Sequence, residues 1–206
     1  MRFPVDKYST LIYFVKQPMK DKLVIDLETK NTFNDVGGKD KLRDLAVSLV
    51  GVYSYNQDEF IGFREDRLSD LGPMLQNAGL IIGFNIKHFD LPVLNKYYNF
   101  NLEALPQVDL LKEVEEAYGN RVGLDALAKV NLGAEKSGHG LDAIRYYANK
   151  DWESLEKYCL QDVALTRDLY ELIKKQGYLL VPDRLGEKTT KVELSLREPE
   201  EENSLF

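Results

Sequence analysis

The apolar run Leu23-Val24-Ile25 passes directly into Asp26-Leu27-Glu28-Thr29. A short apolar stretch of this kind, over residues 22–27, reads as a buried strand. Successive side chains of a strand point to opposite faces, so Asp26 and Glu28 share one face while Ile25 and Leu27 share the other. Two carboxylates on one side of a buried strand are costly unless a cation compensates them. A strand end whose acidic pair is simply solvated has the same sequence, so the triplet alone leaves both readings open.

The rest of the chain supplies a body for that strand. Residues 45–55 are rich in Val and Tyr, and residues 59–63 follow the turn Asn56-Gln57-Asp58, which predicts a hairpin. Residues 66–77 have a helical pattern that closes at Gly79, read as a C′ glycine. A fourth strand is predicted over 80–84, a helix over about 91–98 and a short fifth strand over 107–110. Beyond it, residues 111–118, 124–130, 141–148 and 151–175 read as helices. Three strands joined by hairpins, then two separated by a helix, predict a mixed five-stranded α/β sheet with helices packed against it. Residues 9–15 and 190–197 look strand-like and fall outside this body, where they could pair with each other. Residues 198–206 are expected to be disordered apart from the final Leu205-Phe206.

Composition narrows the function classes. Of 206 residues 44% are hydrophobic and 30% charged, which is ordinary for a soluble globular chain. No apolar run approaches the roughly 20 residues that span a bilayer, and the start, Met1-Arg2-Phe3-Pro4-Val5-Asp6, lacks the apolar stretch of a secretory signal. A cytoplasmic protein with no membrane partner is expected. The single cysteine, Cys159, excludes an internal disulfide and a cysteine zinc cluster. A net charge of -7 argues against tight non-specific duplex binding, though not against a site where metal ions hold a phosphate.

Two further patterns join the first. Residues 80–84 deliver Asn85 at a strand end, and Asn85-x-x-x-Phe89-Asp90 leads into the next helix. Asp90-Leu91-Pro92 is also a good helix start, with Asp90 as N-cap. In the last helix Tyr158 and Asp162 are four apart and share a face, where a phenol and a carboxylate can act on one water. Taken together, four carboxylates in this order at strand ends and on a helix that packs on the sheet point to a metal site. Hard oxygen donors suit Mg²⁺ or Mn²⁺. Two such ions about 4 Å apart would serve phosphodiester hydrolysis.

Asp26-x-Glu28, Asn85-x-x-x-Phe89-Asp90 and Tyr158-x-x-x-Asp162 resemble the three exonuclease motifs of the DEDD superfamily. Lys157 stands where a histidine-type member carries His, so the chain is similar to the tyrosine-type, or DEDDy, branch. Tyr158-Cys159-Leu160-Gln161-Asp162-Val163, with Gly83-Phe84-Asn85 upstream, is most similar to stand-alone relatives of the family-B DNA polymerase proofreading domain. The resemblance implies a ribonuclease H-like fold with helices on both faces of the sheet. It divides the chain into an extension over 1–21, an exonuclease domain over 22–178 and a C-terminal extension over 179–206. It implies 3′→5′ digestion of single-stranded nucleic acid, DNA favoured over RNA. Asp26, Glu28 and Asp162 would hold one ion, and Asp26 and Asp90 the second. Tyr158 would orient the attacking water. Leu27 and Thr29 would contact the terminal nucleotide, and Asn85 and Phe89 the one before it. A non-catalytic nucleic-acid-binding or clamp-tethered adaptor of the same fold is the alternative.

Weaker signals remain. Lys136, Ser137 and His139 lie in a glycine-bounded loop that could reach the phosphate or be an ordinary connection. Cys159 reads as a small buried residue and Trp152 as a core cap. The tail Glu202-Asn203-Ser204-Leu205-Phe206 is similar, at Ser204, Leu205 and Phe206, to peptides that dock on bacterial sliding clamps, although a chance apolar ending accounts for it more simply.

Overall fold

The computed structural model describes residues 20–134 and 140–198. Strand β1 (Asp21–Thr29) lies at the centre of a five-stranded sheet. β2 (Val47–Ser54) and β3 (Glu59–Arg64) extend it on one side as antiparallel neighbours. Beyond α1 (Leu68–Gln76), β4 (Ala78–Gly83) runs parallel to β1. After α2 (Asp90–Leu94), β5 (Gln107–Asp109) pairs parallel to β4, giving the order β3-β2-β1-β4-β5. Four helices follow: α3 (Leu110–Tyr118), α4 (Leu124–Leu132), α5 (Gly140–Ala148) and the 25-residue α6 (Trp152–Gln176).

The alternation of β1 sorts the core into two faces. Leu23, Ile25 and Leu27 pack with Val50, Val52 and Phe63 against Leu71 and Leu75 of α1 and Leu91 and Leu94 of α2. On the other face Val24, Ile82 and Val108 meet Val114 of α3, Leu127 of α4 and Val163, Leu169 and Ile173 of α6. Burying side chains of this size contributes about 2 kcal/mol each. The sheet is therefore covered by helices on both faces, as expected.

Several local expectations are corrected. α1 ends at Asn77 (φ -96°) and not at a left-handed glycine; Gly79 already belongs to β4. α2 stops at Leu94 and gives way to a 3-10 turn, Asn95–Tyr97. After α6, Gly177 turns the chain through φ 76° into β6 (Tyr178–Pro182), a strand absent from the sequence reading. β6 pairs antiparallel with β7 (Thr189–Glu193), and Leu179, Val181, Val192 and Leu194 enter the second core. Residues 178–194 are thus built into the body, and residues 9–15 lie outside the described residues. Glu198, expected to open a disordered tail, accepts hydrogen bonds from Lys22 Nζ (3.2 Å) and the Tyr170 hydroxyl (2.7 Å) and pairs with Lys174.

Candidate functional site

Across the sheet, Asp26 of β1 faces Gly51 of β2, which faces Gly62 of β3. A Cβ at Gly51 would stand 2.9 Å from both Cys159 Sγ and Val163 Cγ2, and one at Gly62 would stand 2.5 Å from Glu156 Oε1. Two facing glycines on neighbouring strands let α6 lie close against the sheet. That approach carries Tyr158, Cys159 and Asp162 onto the end of β1. Gly51→Ala is therefore expected to lower stability by about 1–3 kcal/mol, the usual cost of overpacking, read as a lower urea midpoint. An unchanged midpoint would show that α6 does not need the gap.

At the centre, Asp26 and Glu28 are half-buried, and their carboxylates lie with Cys159 Sγ in a triad whose ligand atoms are all within 4.8 Å. The Cys159 thiol stands 3.5 Å from the Asp26 carbonyl and 3.6 Å from Asp26 Oδ2, close enough to donate its proton. Burial, and then the charges of Asp26 and Glu28, raise its pKa well above the usual thiol value, so it stays protonated.

Asp90 arrives from the open edge of β1. β4 accompanies β1 only as far as Val24, so past that point the amide edge of β1 on this side is unpaired by strand. Asp90 Oδ1 accepts the Leu27 N–H at 3.0 Å. The N-cap position of α2 is Phe89, and no side chain caps that helix. The Asp90 carboxylate therefore reaches across to β1 and does not act as the N-cap of α2. It is 3% exposed. Burial pushes its pKa up to about 7; the amides of Leu27 and Asp90 itself pull down, and the Asp109 and Asp162 charges push up.

Asp162 (6% exposed) and Tyr158 (4% exposed) sit one turn apart on α6. The charge of Asp162 acts on both Asp90 and Cys159. The structure thus gathers the acidic residues at one end of the sheet, in two linked groups. Asp26 and Glu28 form the compact triad with Cys159. Asp90 and Asp162 stand outside that triad and are coupled to each other electrostatically.

The remaining predicted residues surround them. Leu27 is buried in the first core, and its main-chain amide rather than its side chain faces Asp90. Thr29 is nearly buried, and its hydroxyl donates to the Asn31 carbonyl at 2.9 Å. Asn85 adopts φ 67°, and its carbonyl accepts the His88 and Phe89 amides. The half-buried Phe89 ring meets Phe33 edge-on at 5.9 Å. His88 is exposed. Lys136 and His139 lie outside the described residues.

Three contributors escape the sequence reading. Asp109 is 2% exposed and accepts the amides of Asn85 (2.8 Å) and Lys87 (3.0 Å) as well as those of Leu111 and Lys112 at the start of α3. Its capping of α3 is readable from Asp at a strand-to-helix junction; its hold on the Asn85 turn is not. Arg121 Nη2 donates to Asn85 Oδ1 at 2.7 Å and so fixes the amide of that side chain. Cys159 is the third.

The donor set fits hard divalent ions: four carboxylates, two of them buried, one of these already displaced toward its protonated form, chiefly by its burial. A model of the RNase H superfamily matches residues 23–174, well over half of the chain. The chain belongs to the RNase H superfamily. Among solved structures it is similar to the family B DNA polymerase from the hyperthermophilic archaeon Pyrobaculum calidifontis. That match has a TM-score of 0.58 and 21% identity, and covers 76% of this chain and 25% of the polymerase chain. The likeness establishes the fold, and this chain corresponds to only a quarter of the polymerase. Comparison with curated proteins finds no match. An RNase H-like fold with an acidic cluster suggests a nuclease that uses divalent metal ions. No helix among the described residues is long and apolar enough to cross a membrane.

Proposed function

We propose that this protein is a metal-dependent 3′→5′ exonuclease of the tyrosine type, acting on single-stranded DNA in preference to RNA. The observation that carries the reading is the seating of α6 over Gly51, which brings Tyr158 and Asp162 to the strand end that bears Asp26 and Glu28. In this reading residues 22–178 are the catalytic unit. Asp26, Glu28 and Asp162 hold one divalent ion, and Asp26 and Asp90 hold a second. The ions, Mg²⁺ or Mn²⁺, would lower the pKa of a water and stabilise the leaving oxygen.

The protein's own groups do the positioning. Tyr158, buried on the same helix face as Asp162, orients the attacking water through its hydroxyl. Leu27 through its main chain and Thr29 line the place of the terminal nucleotide. Asn85, its amide set by Arg121, and Phe89 hold the preceding one. Lys136 and His139 would contact the phosphate, and Ser204, Leu205 and Phe206 would dock a sliding clamp in a cytoplasmic setting. All five lie outside the described residues; the loop's role rests on its glycine-bounded position in the sequence and the tail's on its likeness to clamp-docking peptides.

Matched DNA and RNA oligonucleotides, labelled at either end, test the reading. A 3′ label should be lost at once and a 5′ label should report a shortening ladder, with Mg²⁺ or Mn²⁺ required and DNA preferred. No digestion with either metal would leave a non-catalytic binding protein of the same fold. Tyr158→Phe should slow digestion by about a hundredfold, in the range of a lost proton-handling or orienting group, with the metal-binding midpoint unchanged. An unaltered rate would remove Tyr158 from the reaction.

A further inference from the structure

Glu28 of β1 faces Leu49 of β2, and Leu49 faces Arg64 of β3. Residues opposite one another in register share a face, so Arg64 projects on the α6 side of the sheet, two strand spacings, about 10 Å, from Glu28. Its guanidinium lies 4.4 Å from the centre of the Trp152 ring, at the first residue of α6. Trp152 meets Tyr147 of α5 edge-on at 5.7 Å. The Lys30 ammonium lies 5.3 Å from the Tyr147 ring and also pairs with Glu65. Lys30 directly follows Thr29, so the sequence of contacts Arg64, Trp152, Tyr147, Lys30 returns to the end of β1. Tyr147 and Trp152 are half-buried and pack on the cluster that contains Tyr158 and Cys159. Arg64 is exposed, and no ion pair of Arg64 is found among the described residues.

We infer that Arg64, Trp152, Tyr147 and Lys30 form a shelf on which single-stranded nucleic acid lies as it enters the site; the inference rests on the exonuclease reading. Two aromatic rings flanked by two cations match bases carried between phosphates, since any base stacks on a ring and any phosphate meets a guanidinium or ammonium. In a chain of net charge -7, such a row provides local attraction for a polyanion. The shelf adjoins the site without belonging to it. It therefore serves nucleotides upstream of the one being released.

The test compares a long single-stranded oligodeoxynucleotide with a dinucleotide, which reaches the site but not the shelf. Arg64→Glu, a change at an exposed position, should raise KM for the oligonucleotide about tenfold with kcat unchanged, and flatten its salt dependence by about one phosphate contact. Dinucleotide turnover should stay at the wild-type level. Trp152→Ala should act in the same direction, about tenfold or more. Equal effects of Arg64→Glu on both substrates, or no effect on the oligonucleotide while the wild type digests both, would overturn the shelf. If the wild type digests neither, the exonuclease reading falls and the shelf with it.

Discussion

Replacing Asp26 or Asp162 by alanine is expected to reduce metal-dependent digestion by at least about a thousandfold, roughly 4 kcal/mol of transition-state stabilisation, while the protein stays folded. The two residues come from distant parts of the chain, one on β1 and one on α6, and are brought to the same end of the sheet only through the packing of that helix. Each would remove ligands that no neighbouring side chain replaces in kind: Cys159, the other member of the triad, is held as a thiol by burial and by the same carboxylates. Folding should survive because each change removes a charge from a crowded acidic cluster. Asp90→Ala is a poorer probe, since it leaves the Leu27 amide without its acceptor at a cost of about 1–3 kcal/mol. Full activity in both Asp26→Ala and Asp162→Ala, measured on a labelled single strand, would remove the carboxylates from the chemistry.

The second large effect is on stability. The folded pKa of Asp90 is about 7, against an ordinary value of 3.8. The folded state therefore binds the Asp90 proton more tightly than the unfolded chain does, and stability is greatest where the proton is still on. As pH rises from about 4 to about 7 the metal-free protein should lose up to on the order of 4 kcal/mol; outside that window this group adds no slope. A divalent ion that replaces the proton offsets the loss, so Mg²⁺ should raise the melting temperature more at about pH 8 than at about pH 5. Asp90→Asn keeps an acceptor for the Leu27 amide but carries no titrating proton, and it should flatten the slope. Urea or thermal unfolding with and without a chelator reads all three. A metal-free protein whose stability is constant over the window, or an Asp90→Asn variant with the wild-type slope, would contradict the assignment.

The acidic motifs were legible because their logic is local. Period two puts Asp26 and Glu28 on one side of a strand, and period 3.6 puts Tyr158 and Asp162 on one side of a helix; the described structure bears out both elements. The mixed five-stranded sheet followed from hairpins and a crossover helix, and the covering of both its faces from the family resemblance. What escaped depends on contacts between segments. Nothing in the sequence near Cys159 says that Gly51 and Gly62 form a gap above which its sulfur touches Asp26. Asp109 reads as a helix cap, and only the parallel pairing of β4 with β5 turns it toward Asn85. β6 was hidden because four apolar or aromatic residues directly after a long helix look like more helix, until Gly177 adopts a left-handed turn.

The most direct test is a crystal structure grown with Mn²⁺ and examined by anomalous scattering. Two peaks about 4 Å apart, held by Asp26, Glu28, Asp90 and Asp162, are the expected result. Saturating Mn²⁺ with no peak at these four carboxylates would contradict the account at its centre.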